Sequence, residues 1–109
     1  MTRVVYGRRK RTLLMYETQR GRLDRVQWLL ALGAPRDARD HWGWTALLWA
    51  SWKGHTDIVR ALIAGGAGVS IADNYGISPL HYASIEGRTD IVRALIACGA
   101  GVIPRVATA

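Results

Sequence analysis

The side chains that most often carry catalysis or hold metal ions are sparse in this chain. Its 109 residues include three histidines, one cysteine and eight acidic residues. The patterns G-x-x-x-x-G-K, H-E-x-x-H, C-x-x-C and G-x-S-x-G, which mark phosphate, metal, redox and nucleophile sites, do not occur. The single cysteine, Cys98, excludes an internal disulfide and a multi-thiolate metal site. We therefore expect neither an enzyme nor a cofactor or metal site.

Aromatic side chains are instead concentrated in one stretch, DHWGWTALLWASWKGH, at positions 40–55. It holds four of the five tryptophans of the chain, Trp42, Trp44, Trp49 and Trp52. Tryptophan, tyrosine and arginine are frequent at binding hot spots, because a rigid ring buries a large area with little loss of rotamer freedom. The stretch is therefore either part of a hydrophobic core or a surface that holds a partner.

Positive charge is concentrated at the N-terminus of a chain whose net charge is +7. The first eleven residues contain no acid and five basic residues: Arg3, Arg8, Arg9, Lys10 and Arg11. Such a run is typical of nucleic-acid binding, of binding to acidic proteins or of a nuclear address, and equally of a solvated terminus. No secretory h-region and no apolar run near 18 residues is present, so we expect an intracellular protein of the cytoplasm or nucleus.

A period of 33 residues organises the whole chain. Gly21, Gly54 and Gly87 recur at this step, and the blocks at 54–68 and 87–101 differ at only two of fifteen positions. The period predicts one domain, 1–109, of three tandem units at about 7–39, 40–72 and 73–105.

Each unit predicts the same elements. A turn that carries glycine precedes a first helix, with Thr45 or Ser78 at the N-cap and Pro79 at the first helical position. A second helix, TDIVRALIA, follows, and we expect Thr56 or Thr89 to cap it. Two antiparallel helices and a protruding turn should therefore recur three times.

The segments SPLHYA at 78–83, TDIVRALIA and the trailing GAG resemble the ankyrin repeat, with its T-P-L-H-x-A signature and G-A-D turn. The resemblance covers about residues 7–104. It implies an all-α solenoid of stacked helix-turn-helix units with protruding β-hairpin-like turns, and a protein-binding scaffold. The middle unit departs from the signature with Ala46 and Leu48. The family's histidine ties units together through the turns, and only His81 is in place to do so here.

The period sorts the tryptophans by repeat position. Trp49 aligns with Tyr16 and Tyr82, and a column of aromatic residues at one position predicts core packing. Trp28 aligns with alanines in the second helices, so it either covers the end of the array or makes a second contact.

The other three tryptophans align with residues of unlike type in the neighbouring units, which argues against a shared core. In ankyrin repeats such turn-tip and first-helix positions line a concave face that holds partners. The predicted partner-binding residues are Arg9, Arg11, Arg20, His41, Trp42, Trp44, Trp52, Lys53, Asn74, Tyr75, Ile77, Ile85 and Glu86.

The leading hypothesis is a protein–protein interaction module that binds an acidic partner segment with apolar anchors. One alternative is nucleic-acid or polyanion binding through the basic N-terminal stretch. Another is a structural or self-associating repeat fragment, or an engineered ankyrin scaffold, since the last unit ends in GVIPRVATA without an evident polar cap. A homo-oligomer formed through that end or through exposed tryptophan would fit this last alternative.

Overall fold

The computed structural model describes the backbone of residues 5–6 and 10–99 and the side chains of residues 10–99. Within that part of the chain, helices follow one another in three antiparallel pairs. The elements are β1 Val5–Tyr6, β2 Arg11–Thr12, α1 Leu13–Gln19, α2 Leu23–Ala31, α3 Ala46–Lys53, α4 Thr56–Ala64, α5 Pro79–Ile85 and α6 Thr89–Ala97. The two short strands form an antiparallel pair ahead of α1. The predicted all-α repeat architecture is confirmed.

Hydroxyl side chains start the first helix of every pair. Thr12 Oγ1 accepts a hydrogen bond from the Met15 amide at 3.2 Å, and Thr45 Oγ1 accepts one from the Leu48 amide at the same distance. Ser78 caps α5 in the same way, and Pro79 is its first residue. The predicted caps at Thr45 and Ser78 are confirmed, and Thr12 caps α1 in the same way. Each hydroxyl satisfies an amide that the helix itself leaves unpaired.

The caps predicted for the second helices are wrong. Thr56 and Thr89 are the first residues of α4 and α6, and the N-cap positions are held by His55 and Arg88 without a side-chain bond. The His55 carbonyl already accepts from the Val59 amide at 2.9 Å. The helical hydrogen-bond pattern therefore begins one residue earlier than a threonine cap would allow.

The hydrophobic core lies between two layers of helices. The first helices α1, α3 and α5 pack side by side, and behind them α2, α4 and α6 do the same. Fully buried side chains from both layers, such as Met15, Leu47, Ile58, Leu62 and Leu95, belong to one continuous cluster. Stacking thus buries an apolar surface that no single pair could cover alone.

Polar contacts join the turn ahead of α3 and its flanking residues to the turn ahead of α5 and its flanking residues. Arg39 Nη2 donates to the Ala72 carbonyl at 2.7 Å, and the Asn74 amide donates to the Trp42 carbonyl at 3.0 Å. His81, which the family pattern assigns to such ties, instead has its Nδ1 2.7 Å from Ser78 Oγ within its own unit. In the described residues the turns are therefore joined by Arg39 and Asn74.

Two equivalent glycines offer a test of how tightly these turns pack. Gly43 and Gly76 have φ values of +80° and +78°, so alanine at either one should cost about 1–2 kcal/mol of unfolding free energy. A Cβ on Gly43 would in addition lie 2.8 Å from the Asn74 backbone nitrogen, whereas nothing lies within 4 Å of one on Gly76. We expect Gly43→Ala to be the more destabilising by roughly 1–3 kcal/mol in urea unfolding. Equal losses would contradict a rigid contact between the turns.

Candidate functional site

Two buried aspartates hold the turns that precede α3 and α5. Asp40 Oδ1 accepts hydrogen bonds from the backbone amides of Trp42 and Trp44, both at 2.9 Å. Asp73 Oδ1 repeats this pattern with the amides two and four residues later, at 2.9 and 3.0 Å. Each carboxylate therefore satisfies backbone groups that a tight turn would otherwise leave unpaired.

The second oxygen of each carboxylate holds aromatic side chains. Asp40 Oδ2 accepts from Trp49 Nε1 at 3.0 Å. Asp73 Oδ2 accepts from Trp44 Nε1 at 3.1 Å and from the Tyr82 hydroxyl at 2.5 Å. Since Trp44 belongs to the middle unit and Tyr82 to the last, Asp73 connects the aromatic residues of two units.

The rings held in this way form one cluster. The centroid of Trp44 lies 4.6 Å from that of Trp49, 4.7 Å from that of Tyr82 and 5.9 Å from that of Trp52. Trp49 and Trp52 are 6.0 Å apart at an interplanar angle of 72°. Tilted and edge-to-face arrangements at these distances are favourable because the positive edge of one ring meets the negative face of another.

The cluster forms the wall of an open cleft of about 350 Å³ between the middle and last units. Its lining residues come from α3 and α5 and from the turns ahead of those helices. The aromatic cleft, as we call it, is lined by Trp42, Trp44, Trp49, Trp52, Asp73, Tyr75 and Tyr82.

Four of the predicted partner-binding residues line this cleft: Trp42, Trp44, Trp52 and Tyr75. Asp73, Trp49 and Tyr82 line it too, although the prediction left out the aspartate and assigned the two rings to a core column. Both rings are half-buried, and Trp49 packs on the core while also lining the cleft. The recurrence of Asp40 and Asp73 at the 33-residue step was the sequence signal that could have indicated a role for both aspartates. It did not reveal which aromatic residues they bind.

Other predicted residues surround the cleft without lining it. The ring of His41 meets that of Trp42 edge-on at 5.6 Å, and Lys53 Nζ lies 5.4 Å from the centre of the Trp52 ring. Ile85 and Glu86 are exposed at the end of α5.

Of three further predicted residues, Asn74 and Ile77 hold the turns in place and Arg20 lies on the first unit, apart from the cleft. The Asn74 side chain donates to the His41 carbonyl at 3.2 Å, and the Ile77 amide donates to Asp73. Arg20 donates to the Tyr16 hydroxyl at 2.9 Å on the first unit.

The basic end of the predicted site is described only in part. Arg11 is half-buried in β2, and Arg9 lies outside the described residues. Trp28 on α2 is 58% exposed, so it is not covered by the rest of the described chain.

Burial and hydrogen bonding together set the pKa values of the Asp73–Tyr82 pair. Burial raises the pKa of the Asp73 carboxyl, but the bonds from Tyr82, from two backbone amides and from Trp44 outweigh it and hold that pKa below the ordinary 3.8. Burial and the bond to the carboxylate raise the pKa of Tyr82 to about 12. At neutral pH the pair therefore consists of a carboxylate and a neutral hydroxyl donor.

Comparison with known families gives one result. The family model for ankyrin repeats matches residues 10–105 in three copies, which is most of the chain. A search of curated proteins finds no match. Among residues 10–99, no group of three or more His, Cys, Asp or Glu side chains is placed to hold a metal ion, and none of the described helices has the length and apolar character to span a membrane.

Replacing Asp73 with asparagine should reduce stability in a pH-dependent way. Asparagine keeps an oxygen for the two backbone amides but turns an NH₂ group toward Trp44 Nε1, so we expect a loss of about 1–3 kcal/mol at pH 7. Because folding lowers the pKa of Asp73, the charged carboxylate contributes its full share of the unfolding free energy of wild type above pH 3.8. This contribution should shrink as the pH falls below that value and through the folded-state pKa. Urea unfolding of both proteins between pH 7 and pH 3 measures the difference.

Glu86→Gln removes one negative charge from an exposed position and is the matched control. A difference between wild type and Asp73→Asn that stayed constant over the pH range would contradict the role given to the charged carboxylate.

Proposed function

The chain belongs to the ankyrin repeat family, whose repeats are generally protein–protein interaction modules, and we propose that it binds a partner segment on its concave face. This face is formed by the turns ahead of α3 and α5 and by the exposed sides of those helices. The family is typically non-enzymatic.

The observation that supports this placement is the exposure of large apolar side chains beside the aromatic cleft. Tyr75 is 79% exposed, Ile85 71% and Trp52 38%. Trp52 and Ile85 occupy equivalent positions on adjacent first helices, and Tyr75 lines the cleft with Trp52. Exposed apolar groups that adjoin one another mark interaction sites, because leaving them in water gives up the free energy of burial.

The charge of the chain favours a partner segment that is acidic around its apolar anchors. The net charge is +7, and Lys53 is exposed at the edge of this face. Exposed charges of this kind mainly raise the association rate and make it salt-dependent, whereas buried aromatic anchors supply most of the affinity. The nucleic-acid and self-association alternatives remain predictions, since no described contact bears on either.

Two tryptophans allow a matched test of this face. We expect Trp52→Ala to weaken partner binding by about thirtyfold, the effect of a hot-spot residue worth roughly 2 kcal/mol. Trp28→Ala removes an exposed tryptophan from α2, away from the concave face, and should leave binding unchanged. Partners captured from cell extracts by the wild-type protein would be identified, purified and titrated against all three proteins.

Circular dichroism and urea unfolding check that both variants keep the fold. If partners bind Trp52→Ala as tightly as wild type but lose affinity for Trp28→Ala, the binding face lies on the second helices and this placement is wrong.

A further inference from the structure

The aromatic cleft is lined almost entirely by aromatic rings and one carboxylate, a composition that a site for an apolar ligand does not need. Six of its seven lining residues are tryptophan or tyrosine, and the seventh is the buried carboxylate of Asp73. Its volume of about 350 Å³ is near the lower end of small-ligand sites, which span roughly 300–1,000 Å³. It therefore suits one side chain or head group rather than a long segment.

Aromatic walls around a carboxylate favour a cation. The face of each ring carries the negative part of a quadrupole, which attracts ammonium groups and repels anions. Lys53 already illustrates this attraction, since its ammonium group lies 5.4 Å from the centre of the Trp52 ring, although it does not line the cleft.

The hydrogen bonds of Asp73 indicate which kind of cation fits. A carboxylate offers about four acceptor positions, and Asp73 already accepts from four donors: the amides of Tyr75 and Ile77, the Trp44 indole and the Tyr82 hydroxyl. A primary ammonium group would find no free acceptor position on this carboxylate for its three N–H donors, so exchanging water for the cleft would be costly for it. A trimethylated ammonium group has no N–H to satisfy and still interacts with the charge and the rings.

We propose that the aromatic cleft binds the trimethylammonium group of a trimethylated lysine in the partner protein. The identity of the carrier rests on the proposed function, because the cleft opens on the same face as Tyr75 and Trp52. Methylenes of the lysine stem would then contact the aromatic walls, and the peptide backbone would continue over the exposed residues beside the cleft.

Small probes test the cleft without a partner protein. In ¹H–¹⁵N NMR titrations the five tryptophan indole N–H signals report binding, and that of Trp28 on α2 is the internal reference. We expect N-acetyl-trimethyl-lysine amide to shift the indole signals of the cleft and to bind at least about tenfold more tightly than N-acetyl-lysine amide. Choline should bind more tightly than its neutral carbon analogue, 3,3-dimethyl-1-butanol, by a similar factor.

The outcomes separate this proposal from the proposed function. Equal binding of choline and the neutral alcohol would show a merely apolar cleft and overturn the proposal, while partner capture through Trp52 would remain unaffected. Choline binding more tightly than the trimethyl-lysine amide would overturn the assignment to lysine. Loss of partner capture together with intact probe binding would instead count against the proposed function.

A variant of an exposed wall residue distinguishes ring faces from simple apolar contact. Tyr75→Leu keeps an apolar side chain at a position that is 79% exposed, so the fold should persist, as an unchanged Tm would show. We expect its affinity for the trimethyl-lysine amide to fall about two- to fivefold, with no change for the neutral alcohol. Unchanged affinity for both probes would exclude Tyr75 from the site and contradict a cation held by the rings.

Discussion

The arrangement of the aromatic cleft depends on a buried carboxylate whose acceptor positions are filled. Asp73 binds two amides of its own turn, the hydroxyl of Tyr82 behind it and the indole of Trp44 from the preceding unit. A buried charge is tolerated only when such donors replace the water it has lost. The four donors are therefore held in one mutual arrangement, and the turn, the helix and the neighbouring unit are held with them.

This constraint explains why the aromatic residues form an open wall rather than a collapsed core. The Trp44 and Trp49 side chains are each anchored by an indole N–H to an aspartate, at 3.1 and 3.0 Å. Their orientations are thus set by directional hydrogen bonds as well as by packing, and one side of the cluster remains accessible. Rings that are fixed before a ligand arrives lose little conformational freedom on binding.

The same anchors explain why the aromatic cleft lies between the middle and last units. In the first unit the positions equivalent to Asp40 and Trp44 are Gly7 and Arg11, so the anchoring acid and the central indole are both replaced. Tyr16, the counterpart of Trp49, accepts a hydrogen bond instead from Arg20, the C-cap residue of the same helix. Units that share a fold therefore present different surfaces, because the acid and the aromatic residues of these turns differ while core positions such as Leu14, Leu47 and Leu80 recur.

The amino-acid sequence by itself determined the period, the helix pairs, the hydroxyl caps of the first helices and the family. These depend on local hydrogen bonds and on the spacing of apolar residues, which recur every 33 positions. Only the tertiary structure showed that the Trp44 ring packs against those of Trp49 and Tyr82, and that Asp73 holds Trp44 and Tyr82 together. Alignment by period compares equivalent positions, whereas the contacts of Trp44 with Asp73 and Tyr82 join different positions in neighbouring units. Whether two side chains of neighbouring units come within the roughly 3 Å of a hydrogen bond depends on the relative position of the two units. The core packing of all the helices sets that relative position.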